Sequence, residues 1–162
     1  MIINLSGEVN EAMMNNLVAS YNTSFLGKLH IYFSSPEGGY VSVAEAIVDL
    51  INLHKDKIKI TFYGENFSCG MIIFLKTNCE KSILPFTTGM YHFSYQNMSI
   101  SEGGKPNSDY DLFAMKEMKS SKLQTLNYLK STHLLEKEIS AIKKGKDVYF
   151  SFNRMNELLN AI

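Results

Sequence analysis

Three times in the first half of the chain, a short apolar and β-branched run gives way through a turn to apolar positions recurring at helical spacing. Ile2 to Leu5 leads through Ser6-Gly7 to a helix predicted around Asn10 to Ala19. Leu29-His30-Ile31-Tyr32-Phe33 leads through SSPEGG to a helix over Val43 to Leu53, and Ile58-Lys59-Ile60-Thr61-Phe62 leads through GEN to one over Ser68 to Lys76. Strands that alternate with helices in this way imply βα units, and so a mainly parallel sheet with helices packed over it. A fourth strand-like run, Met90-Tyr91-His92-Phe93, follows Pro85 and Gly89.

Beyond it the pattern changes. SEGGKPNSD, residues 101 to 109, is a turn-rich break, and from Tyr110 to Ile142 apolar residues recur at helical spacing, among them Leu112, Met115, Leu123, Leu126, Leu129, Leu134, Leu135, Ile139 and Ile142. Ser131-Thr132 separates two helices, with Thr132 placed to cap the second. A long helical insertion with this much apolar surface is a candidate assembly element. The tail, DVYFSFNRMNELLNAI, predicts a short strand and a closing helix, and with no internal repeat or linker the chain is expected to be one domain over 1–162.

Composition narrows the function classes. The 162 residues include 16 basic and 16 acidic side chains, so the formal net charge is zero, against the surplus of Lys and Arg that a phosphate-backbone binder needs. The one basic cluster, Lys143-Lys144-Gly145-Lys146, suits a helix end, where cations meet the negative end of the dipole. MIINLSGEV has neither the basic nor the apolar region of a signal peptide. Every apolar stretch meets a charge before the ~18 residues of a spanning helix. Cys69 and Cys79 are read as free thiols in a reducing cytoplasm. CxxC, HExxH and GxxxxGK[ST] are all missing from the sequence, so neither a metal nor a nucleotide cofactor is predicted.

The chemistry gathers at two helix starts. In SSPEGGYVSVAEAI, residues 34 to 47, Ser42 and Glu45 have capping-box spacing, so the helix is expected to begin near Val43 with Gly38 and Gly39 just ahead. Paired glycines let backbone N–H groups turn toward an anion without Cβ obstruction, although an unliganded tight turn would use them equally well. The second start is GENFSCG, residues 64 to 70. Ser68 there is either a simple N-cap or a nucleophile, with the N–H of Cys69 and the helix dipole ready to stabilise negative charge. A nucleophilic serine needs a base. His54 in LHKDK and His133 read as surface residues, and His30 as a core or edge residue. His92 belongs to the strand after the Ser68 helix and would emerge beside it. For the carboxylate, spacing leaves Asp147, Asp109 and Asp111 open.

At this point the residues form a known order. IINLSGEVNEAMMNNLVA resembles the opening strand, L-x-G-x-[IV] turn and first helix of the proteolytic subunit of the Clp protease, in the ClpP/crotonase superfamily. HIYFSSPEGGYVSVAEAIVDLI is similar to that family's I-x-x-N-S-P-G-G-x-V-x-x-G-x-A-I-x-D, and GENFSCGMIIFL to G-x-A-x-S-x-[AG]-x-x-[IL]-L. LPFTTGMYHF resembles P-x-[ST]-x-x-M-I-H, and GKDVYFSFNRMNELL resembles R-D-x-[FY]-[ML]-[ST]-x-x-[EQ]-A. The resemblance implies an α/β fold with a repeated β-β-α core and a protruding handle, here about 95–142. It further implies a serine endopeptidase without cofactor, with Ser68 as nucleophile, His92 as base, Asp147 as third member, and an oxyanion hole from the N–H groups of Gly39 and Cys69. Peptide or unfolded protein substrate would lie along Gly38, Phe67 and Phe93. The handles of such proteins join rings, often stacked in pairs, around a chamber. An α/β-hydrolase would instead carry G-x-S-x-G and the order serine, acid, histidine.

Some positions depart from the pattern. Asn66-Phe67 replace small residues before the serine, which is expected to narrow or redirect the pocket. H-F-S stands for H-Q-P after the base, and S-P-E-G-G brings Glu37 near the glycines. The sequence starts at the first core strand, without a counterpart of the axial pore loops, an expectation against docking to an AAA+ unfoldase. Two other readings follow: an inactive structural subunit of a mixed ring, and a crotonase-type acyl-CoA enzyme that polarises a thioester with the glycine loop. No nucleic acid or membrane partner is expected, and the expected location is the cytoplasm.

Overall fold

The computed structural model describes residues 1–24, 27–93, 116, 120 and 123–161. In chain order the elements are β1 (Ile2–Ser6), α1 (Glu11–Thr23), β2 (Leu29–Ser35), α2 (Val41–Leu53), β3 (Ile58–Phe67), α3 (Cys69–Lys76), β4 (Glu80–Ile83) and β5 (Thr88–Tyr91). They continue with α4 (residues 123–131), α5 (Glu136–Lys143), β6 (Val148–Phe150) and α6 (Phe152–Ala161). The mixed α/β architecture expected from the alternating pattern is present: among the described residues a six-stranded sheet carries the helices.

The central strands are apolar because both faces are covered. Leu29, Ile31 and Phe33 of β2 and Ile58, Ile60 and Phe62 of β3 are all buried, and Phe33, Phe62 and Phe74 meet edge to face at 5.5 and 5.1 Å between ring centroids. Burying each such ring contributes roughly 1.5–3 kcal/mol. β1, β2 and β3 pair in parallel, as the βα alternation requires. Asn10 caps α1 by accepting the Met13 N–H. Asn52 closes the far end of α3, its amide donating to the Lys76 carbonyl at 3.0 Å and its oxygen accepting the Asn78 N–H at 2.7 Å.

β3 runs ten residues, five beyond the Phe62 at which the sequence pattern suggested a turn. Gly64, at φ 57°, absorbs the irregularity without ending the strand. Its first half pairs with β4 (Lys59 with Glu80 through Phe62 with Ile83) and its second half with β5 (Glu65 with Thr88 through Phe67 with Met90). β4, with the sequence EKSI, has no apolar alternation and was not predicted. Its pairing comes from the exposed edge of β3, including a Lys59–Glu80 contact of 2.6 Å. β6 joins β5 antiparallel at the other end.

Two capping expectations are corrected. α2 begins at Val41 after Tyr40, with no side-chain cap bond, and the Glu45 carboxylate pairs instead with Lys76 at 2.6 Å. Thr132 finishes the helix before it, donating to the Leu129 carbonyl at 2.6 Å. The start of α5 is closed by Glu138, which accepts the Leu135 N–H at 2.7 Å. Most of the first part of the predicted handle lies outside the described residues. Its later part packs on the core, with Leu129, Leu134 and Ile142 buried. No helix among the described residues is long and apolar enough to cross a membrane.

Candidate active site

Ser68 joins β3 to α3 in a backbone conformation that side chains rarely adopt, φ 50° and ψ −105°. A non-glycine residue held there costs of order 1–3 kcal/mol and persists only where its surroundings enforce it. They do so here: its N–H donates to the Met90 carbonyl of β5 at 2.7 Å, and its carbonyl accepts from Met71 and Ile72 to start the helix. The hydroxyl makes no capping bond to its helix. Instead Ser68 Oγ lies 2.9 Å from His92 Nε2.

Register explains how the other groups arrive. β3 and β5 run parallel with Phe67 level with Met90, so the residues just past both strand ends, Ser68 and His92, emerge at the same edge. β5 and β6 run antiparallel with Tyr91 opposite Val148, so the residue after one faces the residue before the other, His92 and Asp147. His92 Nδ1 lies 3.2 Å from Asp147 Oδ1. A carboxylate only accepts, so Nδ1–H donates to Asp147, and the Nε2 lone pair is left to accept the Ser68 hydroxyl proton. The Asp147 side chain is 46% exposed and that of His92 25%. Among the other candidates, Asp109 and Asp111 lie outside the described residues. His30 is occupied by Thr61, 2.7 Å away, His54 stacks on Tyr21, and His133 is exposed.

The glycine loop lies against this line. Its backbone is held by four bonds: Val9 N–H to the Gly38 carbonyl at 2.7 Å, Tyr40 N–H to the Val9 carbonyl at 2.9 Å, Ser35 hydroxyl to the Gly38 carbonyl at 3.2 Å, and Cys69 S–H to the Gly39 carbonyl at 3.2 Å. Gly38 (φ 72°) backs onto the serine so closely that a Cβ there would stand 2.8 Å from Ser68 Cβ. A Cβ on Gly39 (φ 146°) would overlap the Val9 backbone. The Cys69 thiol is buried, and that burial pushes it from an ordinary 9.0 up to about 11, which leaves it a protonated donor rather than a nucleophile. Its N–H, the first of α3, has no acceptor within its own helix.

The two departures before the serine point elsewhere. Asn66 is fully buried, its amide donating to the Tyr63 carbonyl at 3.1 Å. Phe67 is half-buried, edge-on to Tyr149 of β6 at 6.3 Å. Neither lines the cavity of about 450 Å³ that opens beside Ser68 and His92. That cavity is bounded by Val41 and Glu45 of α2, Ile72 and Lys76 of α3, Tyr91 and Phe93, and Tyr128 of α4. Sequence reasoning missed Glu45, Lys76 and Tyr128, yet a signal was present: Ser68, Ile72 and Lys76 are spaced four apart and so share one face of α3, as Val41 and Glu45 do on α2.

Comparison with known proteins agrees with the motifs. The family described as Clp protease matches residues 1–152. The chain belongs to the Clp protease family. Two similar relatives, each named ATP-dependent Clp protease proteolytic subunit, come from Streptococcus agalactiae serotype V and Streptococcus pyogenes serotype M1. Each is 30% identical over 155 residues, covering 91% of this chain and 69% of its own length. For this Clp-family chain, the mixed α/β fold fits the fold class that the resemblance implied.

Proposed function

We propose that this protein is a serine endopeptidase of the Clp type that acts through Ser68, His92 and Asp147. The observation that carries the reading is the Ser68 hydroxyl, which forgoes the cap of its own helix and bonds to His92 Nε2 at a backbone conformation that costs energy to hold. His92 takes the Ser68 proton as the hydroxyl attacks a peptide carbonyl, and returns it to the leaving amine. Asp147 fixes the tautomer and steadies the imidazolium. The N–H groups of Gly39 and Cys69, beside the positive end of the α3 dipole, would hold the oxyanion, the group most in need of fixed donors in this chemistry.

In this reading the substrate is a peptide or unfolded protein and the working form is a ring, joined to a second ring through the insertion of about 95–142; family membership supports peptide substrates and oligomeric assembly in general. The inactive-subunit and acyl-CoA readings leave the Ser68–His92–Asp147 line and the strain at Ser68 without a purpose. A fluorophosphonate probe, read by intact mass on native assemblies, should add one label per chain at Ser68, and Ser68→Ala should abolish it. Assembled protein that neither labels nor cleaves peptides would overturn the proposal.

A further inference from the structure

Three helix faces converge on the cavity beside Ser68. Along α3, Ser68, Ile72 and Lys76 lie on one face; Val41 and Glu45 come from α2, and Thr125 and Tyr128 from α4. The walls near the serine are apolar or aromatic, Ile72, Val41, Tyr91 and Phe93, and the far end is charged. There Lys76 Nζ bonds Glu45 Oε1 at 2.6 Å and sits 4.9 Å from the centre of the Tyr128 ring. The Lys76 and Glu45 side chains are 26% and 40% exposed. Water reaches the pair only in part.

Resting on the peptidase reading, we infer that the Lys76–Glu45 pair sets acyl-side specificity: the cavity takes the side chain of the residue whose carbonyl Ser68 attacks, and favours one that is long, uncharged and polar at its tip, as in glutamine or tyrosine. Length follows from the helix. Eight residues at about 1.5 Å rise place Lys76 about 12 Å along α3 from the serine, and its four-carbon stem, which leans toward the helix start, spans roughly half of that. A leucine ends short of the ammonium, whereas glutamine and tyrosine reach it. Neutrality follows from the pairing. An incoming carboxylate has to displace Glu45 to reach Lys76, and an incoming ammonium has to displace Lys76 to reach Glu45; either exchange leaves a partly buried charge without its partner. A neutral tip accepts from Lys76 or donates to Glu45 with the pair intact, and the Thr125 hydroxyl adds a further partner within the lining.

The test uses assembled full-length protein and peptidyl coumarylamides that differ only in the last residue: glutamine, tyrosine, leucine, glutamate or lysine. Wild type should cleave the glutamine and tyrosine substrates fastest, leucine next, and glutamate and lysine at least about tenfold more slowly. Glu45→Gln, which frees the lysine, should raise glutamate relative to glutamine about tenfold. Lys76→Met, which frees the glutamate, should do the same for lysine. The reversed pair, Glu45→Lys with Lys76→Glu, should return the profile toward wild type, which guards against single variants that fail to fold. A wild type that prefers leucine, or a profile unmoved by these changes, overturns the assignment and leaves the peptidase reading intact. A wild type with no fluorophosphonate label on Ser68 and no cleavage overturns both.

Discussion

The turn from β2 into α2 and the turn from β3 into α3 look alike in the sequence, a strand, glycine and a helix, but they meet their backbone strain differently. In the first, the unusual φ values fall on Gly38 and Gly39, where they cost little, and the loop is fixed from outside by Val9, Ser35 and Cys69. In the second, the unusual φ falls on Ser68 itself, and Met90 and His92 hold it there. The difference tracks what each turn contributes. A loop that offers only N–H groups can be glycine, whereas a turn that presents a hydroxyl must keep a side chain and carry the strain.

The contrast is broken most severely at the serine. Ser68→Ala should lower peptide hydrolysis by about a million-fold, measured with purified protein to exclude wild-type contamination. The same position also separates strain from chemistry: Ser68→Gly should be equally inactive but more stable than Ser68→Ala by about 1 kcal/mol, read as the difference in denaturant midpoints. A Ser68→Ala variant more stable than Ser68→Gly, as the lower unfolded-state entropy of alanine gives at an unstrained position, would mean that the turn stores no strain. Asp147→Asn should lower kcat by roughly a hundred- to ten-thousandfold, since the wrong imidazole tautomer is then favoured, while fluorophosphonate labelling slows rather than disappears.

In the glycine loop the same logic predicts damage through the backbone. Gly39→Ala should destabilise the fold by about 3 kcal/mol, because the added Cβ meets the Val9 main chain instead of a movable side chain. Cys69→Ala is the mildest change, removing one thiol hydrogen bond to Gly39 at a cost of about 1 kcal/mol. It also carries a pH signature. Burial raises the Cys69 thiol from 9.0 to about 11, so the folded state holds that proton more tightly than the unfolded state does. The associated stability is complete below pH 9 and is lost as pH rises through 11. Cys69→Ala should therefore reduce the alkaline loss of stability; Cys79, raised to the same degree by its own burial, should retain its part. An alkaline profile identical to wild type would remove the thiol from this account.

How far the sequence could be read follows from what each residue answers to. The βα units were legible because Leu29, Ile31, Phe33, Ile58, Ile60 and Phe62 are buried where their pattern says they should be. β4 was not legible, because Glu80-Lys81-Ser82-Ile83 pairs through main-chain groups and has no buried face to mark it. Gly64 read as the end of a strand but serves as a bend within one. The Ser42/Glu45 spacing was a true local pattern outcompeted by a distant partner, Lys76, which sequence proximity could not reveal. At the site, the order of motifs singled out Ser68, His92 and Asp147, while their alignment depends on two strand registers that no local pattern encodes. Asn66 and Phe67 were expected to shape the pocket, but the bend at Gly64 turns Asn66 inward, toward the Tyr63 carbonyl, and Phe67 lies against Tyr149.

The position of Asp147 has a consequence in time. It reaches His92 only once β6 has paired with the edge strand β5. β6 in turn is backed by α6, whose Arg154 is bound to Glu138, Glu157 and the His133 carbonyl. A ribosome releases the serine and the histidine long before these residues. A nascent chain that has just added His92 therefore carries the proposed nucleophile and base without the carboxylate proposed to align them, and a further 55 residues must be added before that line can close.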